Sequence, residues 1–122
     1  MKKIFALTAI FALVLAGCGK EEAEIETTLI VSNNSSQKLY NVRWNGENMT
    51  GGGQLVTGSK TTGKVKPGTE YIFFNIVGVS GLWRTQEIVT IEKGEEKTFN
   101  FLNSTIVVNT SNNQTCTLFD LK

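Results

Sequence analysis

Two cysteines, Cys18 and Cys116, are the strongest nucleophiles in this 122-residue chain, which contains no histidine. A thiolate that attacks substrate needs a base or a cationic neighbour, and imidazole is the usual one. Without it there is no His-based triad, no imidazole metal ligand and no side chain that ordinarily exchanges protons near neutral pH. Asp120 is the sole aspartate, which argues against a carboxylate calcium loop. Gly53 to Lys60 reads Gly-Gln-Leu-Val-Thr-Gly-Ser-Lys. A phosphate-cradling loop places Lys directly after its second glycine and opens a helix, whereas here Ser59 precedes Lys60 and no helical pattern follows. Ser35 and Lys38 have the spacing of a serine activated by lysine, but that spacing works only where a helix stacks one beneath the other. The residue types therefore predict no catalytic site, no metal site and no cofactor.

Binding chemistry is a different matter. Trp83, with Leu82, follows the glycine-flexible turn Ser80-Gly81 and is the candidate surface contact. A tryptophan so placed can stack on a sugar ring or anchor a protein partner. Folding back to cap the open end of its own sandwich is the competing role. Cys116 sits among Thr115, Thr117, Leu118 and Phe119, flanks that predict a buried or edge-strand thiol.

The elements that must position these residues are strands. After Ala23 the chain has no alanine, and it is rich in Thr, Asn, Val, Ile, Phe and Gly. Apolar segments recur between turn signals over residues 28–32, 38–44, 70–79, 83–91, 97–102, 105–108 and 115–121. In the second, Tyr40, Val42 and Trp44 alternate with Leu39, Asn41 and Arg43, which predicts one buried face. Asn45-Gly46 predicts a two-residue turn. Lys66-Pro67-Gly68-Thr69 predicts a turn with glycine in the left-handed position. Residues 70–79 are apolar at both parities and predict a central strand covered on both sides. Glu92-Lys93-Gly94-Glu95, between two alternating segments, predicts a hairpin. Residues 49–63, with Gly51-Gly52-Gly53, predict a weak edge strand or a loop. The sum is an all-β fold, a single small antiparallel β-sandwich of about seven or eight strands. Tyr40, Trp44, Phe73, Phe99 and Phe101 are expected to supply much of its buried area.

The first residues have another purpose. Lys2 and Lys3 precede an apolar run from Ile4 to Ala16, broken only by Thr8. A basic start, about a dozen apolar residues and then small ones is the layout of a secretory signal peptide. The run is shorter than the about 20 apolar residues a bilayer-spanning helix needs. It ends Leu15-Ala16-Gly17-Cys18, which resembles a bacterial lipobox. The resemblance implies cleavage before Cys18, lipid on its sulfur and attachment to a membrane surface. One acyl chain alone holds only marginally, so two or three give a stable anchor. Gly19, in place of an aspartate, leans by the same resemblance towards the outer membrane of a two-membrane cell. A disulfide between the two cysteines is then excluded, because Cys18 is a thioether.

Processing changes the arithmetic. The formal charge of +1, already against a nucleic-acid partner, becomes −1 once residues 1–17 are removed. Residues 18–28 hold the lipidated cysteine and a tether with Glu21, Glu22, Glu24 and Glu26, and residues 29–122 form a mildly basic domain.

From Thr28 to Val108 the chain resembles small bacterial lipoproteins of a kind frequent in spirochaetes. Asn41-Val42-Arg43-Trp44-Asn45-Gly46, the run from Val65-Lys66-Pro67-Gly68 to Phe74, and Val89-Thr90-Ile91-Glu92-Lys93-Gly94-Glu95 carry that likeness. More loosely, Pro67-Gly68 with Tyr71, a following valine-rich strand and Lys93-Gly94-Glu95 is similar to surface sandwiches of PEGA or transthyretin-like type. Neither resemblance implies an activity. The expectation is a lipid-anchored, extracytoplasmic, non-catalytic binding module that meets a protein or glycan partner. The competing expectation is a structural accessory subunit of a cell-envelope complex.

Overall fold

The computed structural model describes residues 26–121. Expectations for the signal segment, for Cys18 and for the tether up to residue 25 lie outside the described residues. Within them the chain forms β1 (Thr28–Asn34), β2 (Leu39–Trp44), β3 (Glu47–Asn48), β4 (Gln54–Leu55), β5 (Ser59–Lys64), β6 (Gly68–Glu70), β7 (Ile72–Ile76), β8 (Val79–Thr85), β9 (Val89–Ile91), β10 (Glu96–Leu102), β11 (Ile106–Asn109) and β12 (Thr115–Thr117). A single 3-10 turn, Leu118–Asp120, follows. Seven of these strands have four or more residues, and the other five are two- or three-residue pieces. The architecture is an all-β sandwich, and among the described residues no helix is long and apolar enough to cross a membrane.

The larger sheet runs β12-β11-β8-β7-β2-β3, with β4 also paired to β2, and all its pairs are antiparallel. The smaller sheet runs β10-β1-β5. There β1 is antiparallel to β5 but parallel to β10, the one parallel pair among the described strands. A third pair, β6 with β9, adds Val89 and Ile91 to the core.

Leu29 and Val31 of β1 and Phe101 of β10 face Val42, Trp44, Ile72, Phe74 and Ile76 of the larger sheet, all of them fully buried. Phe74 and Phe101 join the layers edge to face, with ring centroids 5.0 Å apart, and Phe99 meets Phe101 at 4.9 Å. The buried Trp44 indole donates to the carbonyl of Glu70 at 3.0 Å, so its burial leaves no N–H unsatisfied. Of the five rings expected to fill the core, Trp44 and Phe101 do so, whereas Tyr40, Phe73 and Phe99 are half-buried.

Asn45 and Gly46, at φ +50° and +85°, make the tight turn from β2 to β3. Other expectations shift. In β2 the buried residues are Leu39, Val42 and Trp44, with Tyr40 on the opposite face. The register against β7 slips between Tyr40 and Arg43, and Asn41 takes φ +50°, so one extra residue reverses the alternation. Gly68 begins β6 with no positive φ; a Cβ there would come 2.9 Å from the Asn45 amide nitrogen, which donates to the carbonyl of Lys66. The Glu92–Glu95 turn forms, with the Glu95 N–H donating to the Glu92 carbonyl at 3.0 Å. Its two strands nonetheless part, β9 to β6 and β10 to β1, so no hairpin results. Residues 49–63 take the edge-strand form of the two expected. They cross from the larger sheet to the smaller as β4 and β5, burying Met49 and Leu55.

Candidate functional site

The residues with nucleophilic potential do not assemble. Gln54 and Leu55 lie in β4, and Ser59 and Lys60 in β5, so the glycine-rich run carries strand backbone and no phosphate cradle. Ser35 is buried and its hydroxyl donates to Asn33 Oδ1 at 2.7 Å, while Lys38 is exposed. Asn33 itself is fully buried and its amide donates to the carbonyls of Gln37 at 2.7 Å and Leu55 at 2.8 Å. This knot is structural. Cys116 lies on the edge strand β12, partly buried against the core, as its flanks predict. Burial, and secondarily the nearby Asp120 carboxylate, pushes its thiol above the ordinary range. Among the described residues no three His, Cys, Asp or Glu side chains gather as a metal-binding group.

Trp83 requires a correction. It is only 7% exposed, lies in the core cluster opposite Phe74, and its indole N–H donates to the Ser80 carbonyl at 3.2 Å. The parity of β8 decides this: Phe74 faces inward, so its cross-strand partner does too. The ring caps its own sandwich and offers no surface contact. Leu82, one residue earlier, points the other way and is half-buried on the outer face.

That outer face of the larger sheet gathers residues the sequence reading left separate. The registers set Arg43 beside Phe73, Phe73 beside Arg84, Arg84 beside Val108 and Val108 beside Thr115, one continuous row across β2, β7, β8, β11 and β12. Tyr40 and Asn75 form the next row. Arg43 and Arg84 are the only arginines in the chain. The Arg84 guanidinium carbon lies 4.0 Å from the Tyr71 ring centroid, and Nη1 donates to the Thr85 carbonyl at 2.9 Å. Stacking of this kind contributes about 0.5–1 kcal/mol at an exposed site and holds the planar fork in place.

No carboxylate stands in these rows. The acids nearest in sequence are Glu47, set opposite Trp44 in β3, Glu70 in β6 and Glu87 in the bend after β8. Among the described residues the ion pairs join Lys64 to Glu26 and Lys97 to Glu95, and neither arginine takes part. Tyr40, Arg43, Tyr71, Phe73 and Arg84 are all half-buried, so each still meets solvent. Beside Tyr40 a hollow of about 310 Å³ is lined by Gly52, Gly53, Gln54, Val77 and Gly78. A signal for this face was present in the sequence, namely both arginines and Phe73 within strand segments, but the bulge at Asn41 and the sheet order hid their adjacency.

A second open region follows β10. This strand pairs only with β1, so alternate residues turn their N–H and C=O groups away from the sheet. Along that edge lies a groove of about 470 Å³ bordered by Thr98, Phe99, Leu102, Thr85, Glu87 and Ile106. Leu102 and Ile106 are exposed there.

Compared with protein-family models, with curated proteins and with solved structures, the chain matches none.

Proposed function

We propose that this protein is a lipid-anchored, extracytoplasmic binding module that does no catalysis, held at a membrane surface through Cys18 and presenting the outer face of its larger sheet to an anionic partner. The observation that carries the binding role is the acid-free row Arg43–Phe73–Arg84, flanked by Tyr40 and Tyr71. Two guanidinium groups without carboxylate neighbours have their strongest hydrogen bonds still to make, and a carboxylate or similar anion takes them bidentately. The lipobox-like segment supports the anchor: β1 starts at Thr28, so about ten residues separate the lipid from the first strand.

The test has two arms in a bacterial host. Cys18→Ser should leave unprocessed precursor and abolish incorporation of labelled fatty acid; membrane partition that survives removal of residues 1–18 contradicts the anchor. In detergent, where the lipid gives no hold on a bilayer, full-length protein should sediment with protein-stripped envelope material, and Arg43→Gln with Arg84→Gln should release it while the variant still unfolds cooperatively. Sedimentation unchanged in that variant contradicts the binding face.

The groove along β10 favours the second reading, an accessory subunit of an envelope complex. An extended strand of a partner would pair with the free edge, its side chains meeting Phe99, Leu102 and Ile106. Co-purification at fixed stoichiometry, lost on Leu102→Glu, is its expected signature. A monodisperse monomer from solubilised membranes counts against it.

A further inference from the structure

We propose that the partner of the arginine face is an acidic glycan, a chain of carboxylate-bearing sugars, with Arg43 and Arg84 on its carboxylates and one sugar ring seated on Tyr40. The inference rests on the binding-face reading above and adds the class of ligand. Charge alone selects anions. Both arginines of the chain lie on one face, in the same cross-strand row and separated only by Phe73, with no carboxylate in that row to satisfy them. In antiparallel strands about 4.8 Å apart, residues two strands away are about 10 Å apart, a spacing that suits charges repeated along a chain better than one small anion.

The aromatic residues select further. A pyranose presents a flat apolar face of C–H groups to a ring and hydroxyl groups around its rim, and aromatic side chains with an apolar body and a polar handle suit it. Tyr40 supplies such a ring next to the hollow of about 310 Å³, which Gly52, Gly53 and Gln54 also line. Gly52 has φ +93°, and a Cβ built there would meet nothing within 4 Å, so the hollow is bounded by backbone that a ligand can approach closely. A membrane surface fits less well. Inserting residues would have to protrude, whereas Tyr40, Tyr71 and Phe73 lie half-buried along the sheet.

The experiment is equilibrium binding of the full chain in detergent to polygalacturonate, with dextran and poly-glutamate of matched length as comparisons. Polygalacturonate should bind saturably, more weakly as salt rises, and at least about tenfold more tightly than either comparison polymer. Arg43→Gln, Arg84→Gln and Tyr40→Phe test the contacts singly. Each arginine change should weaken binding about tenfold or more, Tyr40→Phe should keep most of it, and Tyr40→Ser should lose it, with every variant still unfolding in one cooperative transition. Equal binding of poly-glutamate through the same arginines overturns the glycan and leaves the binding face standing, now for an acidic peptide. Failure of both polymers to bind, or binding indifferent to both arginines, overturns the glycan and the binding face together.

Discussion

Trp83 and Arg84 are neighbours in sequence with opposite fates, because consecutive side chains of a strand leave on opposite sides. Trp83 is core, and Arg84 is surface. Sequence reasoning singled out the tryptophan for its chemistry; the parity that decides its exposure depends on which neighbour of β8 faces inward, and that is a property of the sheet. Cys116 was legible, since β-branched threonines on both sides and Leu118 beyond mark a short strand that packs its thiol against the core. Its pKa is raised, by burial first and Asp120 second, which disfavours the thiolate. Alkylation by iodoacetamide at pH 7.5 should therefore be slower in the folded chain than in urea-unfolded chain. Equal rates would contradict the packed thiol. Asn33 was not legible, because a buried amide that ties β1 to the carbonyls of Gln37 and Leu55 reads in sequence as another turn residue. Asn33→Ala removes a donor from each of those carbonyls and should cost about 3 kcal/mol in chemical denaturation. A loss within experimental error would show that the knot is not needed.

At the scale of elements, local chemistry was read well and pairing was not. Asn45-Gly46 and Glu92–Glu95 turn where their residues say they should. Whether the flanking strands then pair depends on distant partners: β10 finds β1, more than sixty residues earlier in the chain, and β9 finds β6. The bulge at Asn41 is a single-residue event that period-two counting takes for regular strand, so Tyr40 was assigned to the core side. Phe73 made β7 look covered on both faces. The structure instead lays that ring between two arginines.

The Glu92–Glu95 turn also carries an acid-sensitive contact. The Glu95 carboxyl accepts the Glu92 N–H at 2.8 Å and is held below the usual carboxylate range by that bond first, with Lys97 adding to it. A carboxyl whose folded pKa is depressed contributes stability above the unfolded value, and that contribution is lost as pH falls through the folded value. The turn also supports β1, through the Gly94 N–H on Thr27 Oγ1 and the Thr28 N–H on the Glu95 carbonyl. Wild type should therefore lose more stability than Glu95→Gln between pH 6 and pH 3, read as unfolding midpoints in urea. Parallel pH profiles would remove the carboxyl from the account.

For the whole molecule, composition was enough to predict an all-β sandwich, because a chain with no alanine after Ala23 and frequent turn residues has few other ways to bury its aromatic rings. What composition could not give is the division of labour between faces. One sheet interior holds Trp44, Phe74 and Trp83, and its exterior holds Arg43, Phe73 and Arg84, on the same strands and at alternate positions. No acidic residue stands in the row Arg43–Phe73–Arg84. A molecule so divided has a preferred side to present. The most direct measurement is a map of backbone amide shifts as the isotope-labelled full chain is titrated with a short oligogalacturonate. Saturable shifts concentrated at Tyr40, Arg43, Phe73 and Arg84, with β10 and the 92–95 turn still, are the predicted result. Shifts confined to the β10 edge, or none at all, would contradict the claim that this face is the working surface.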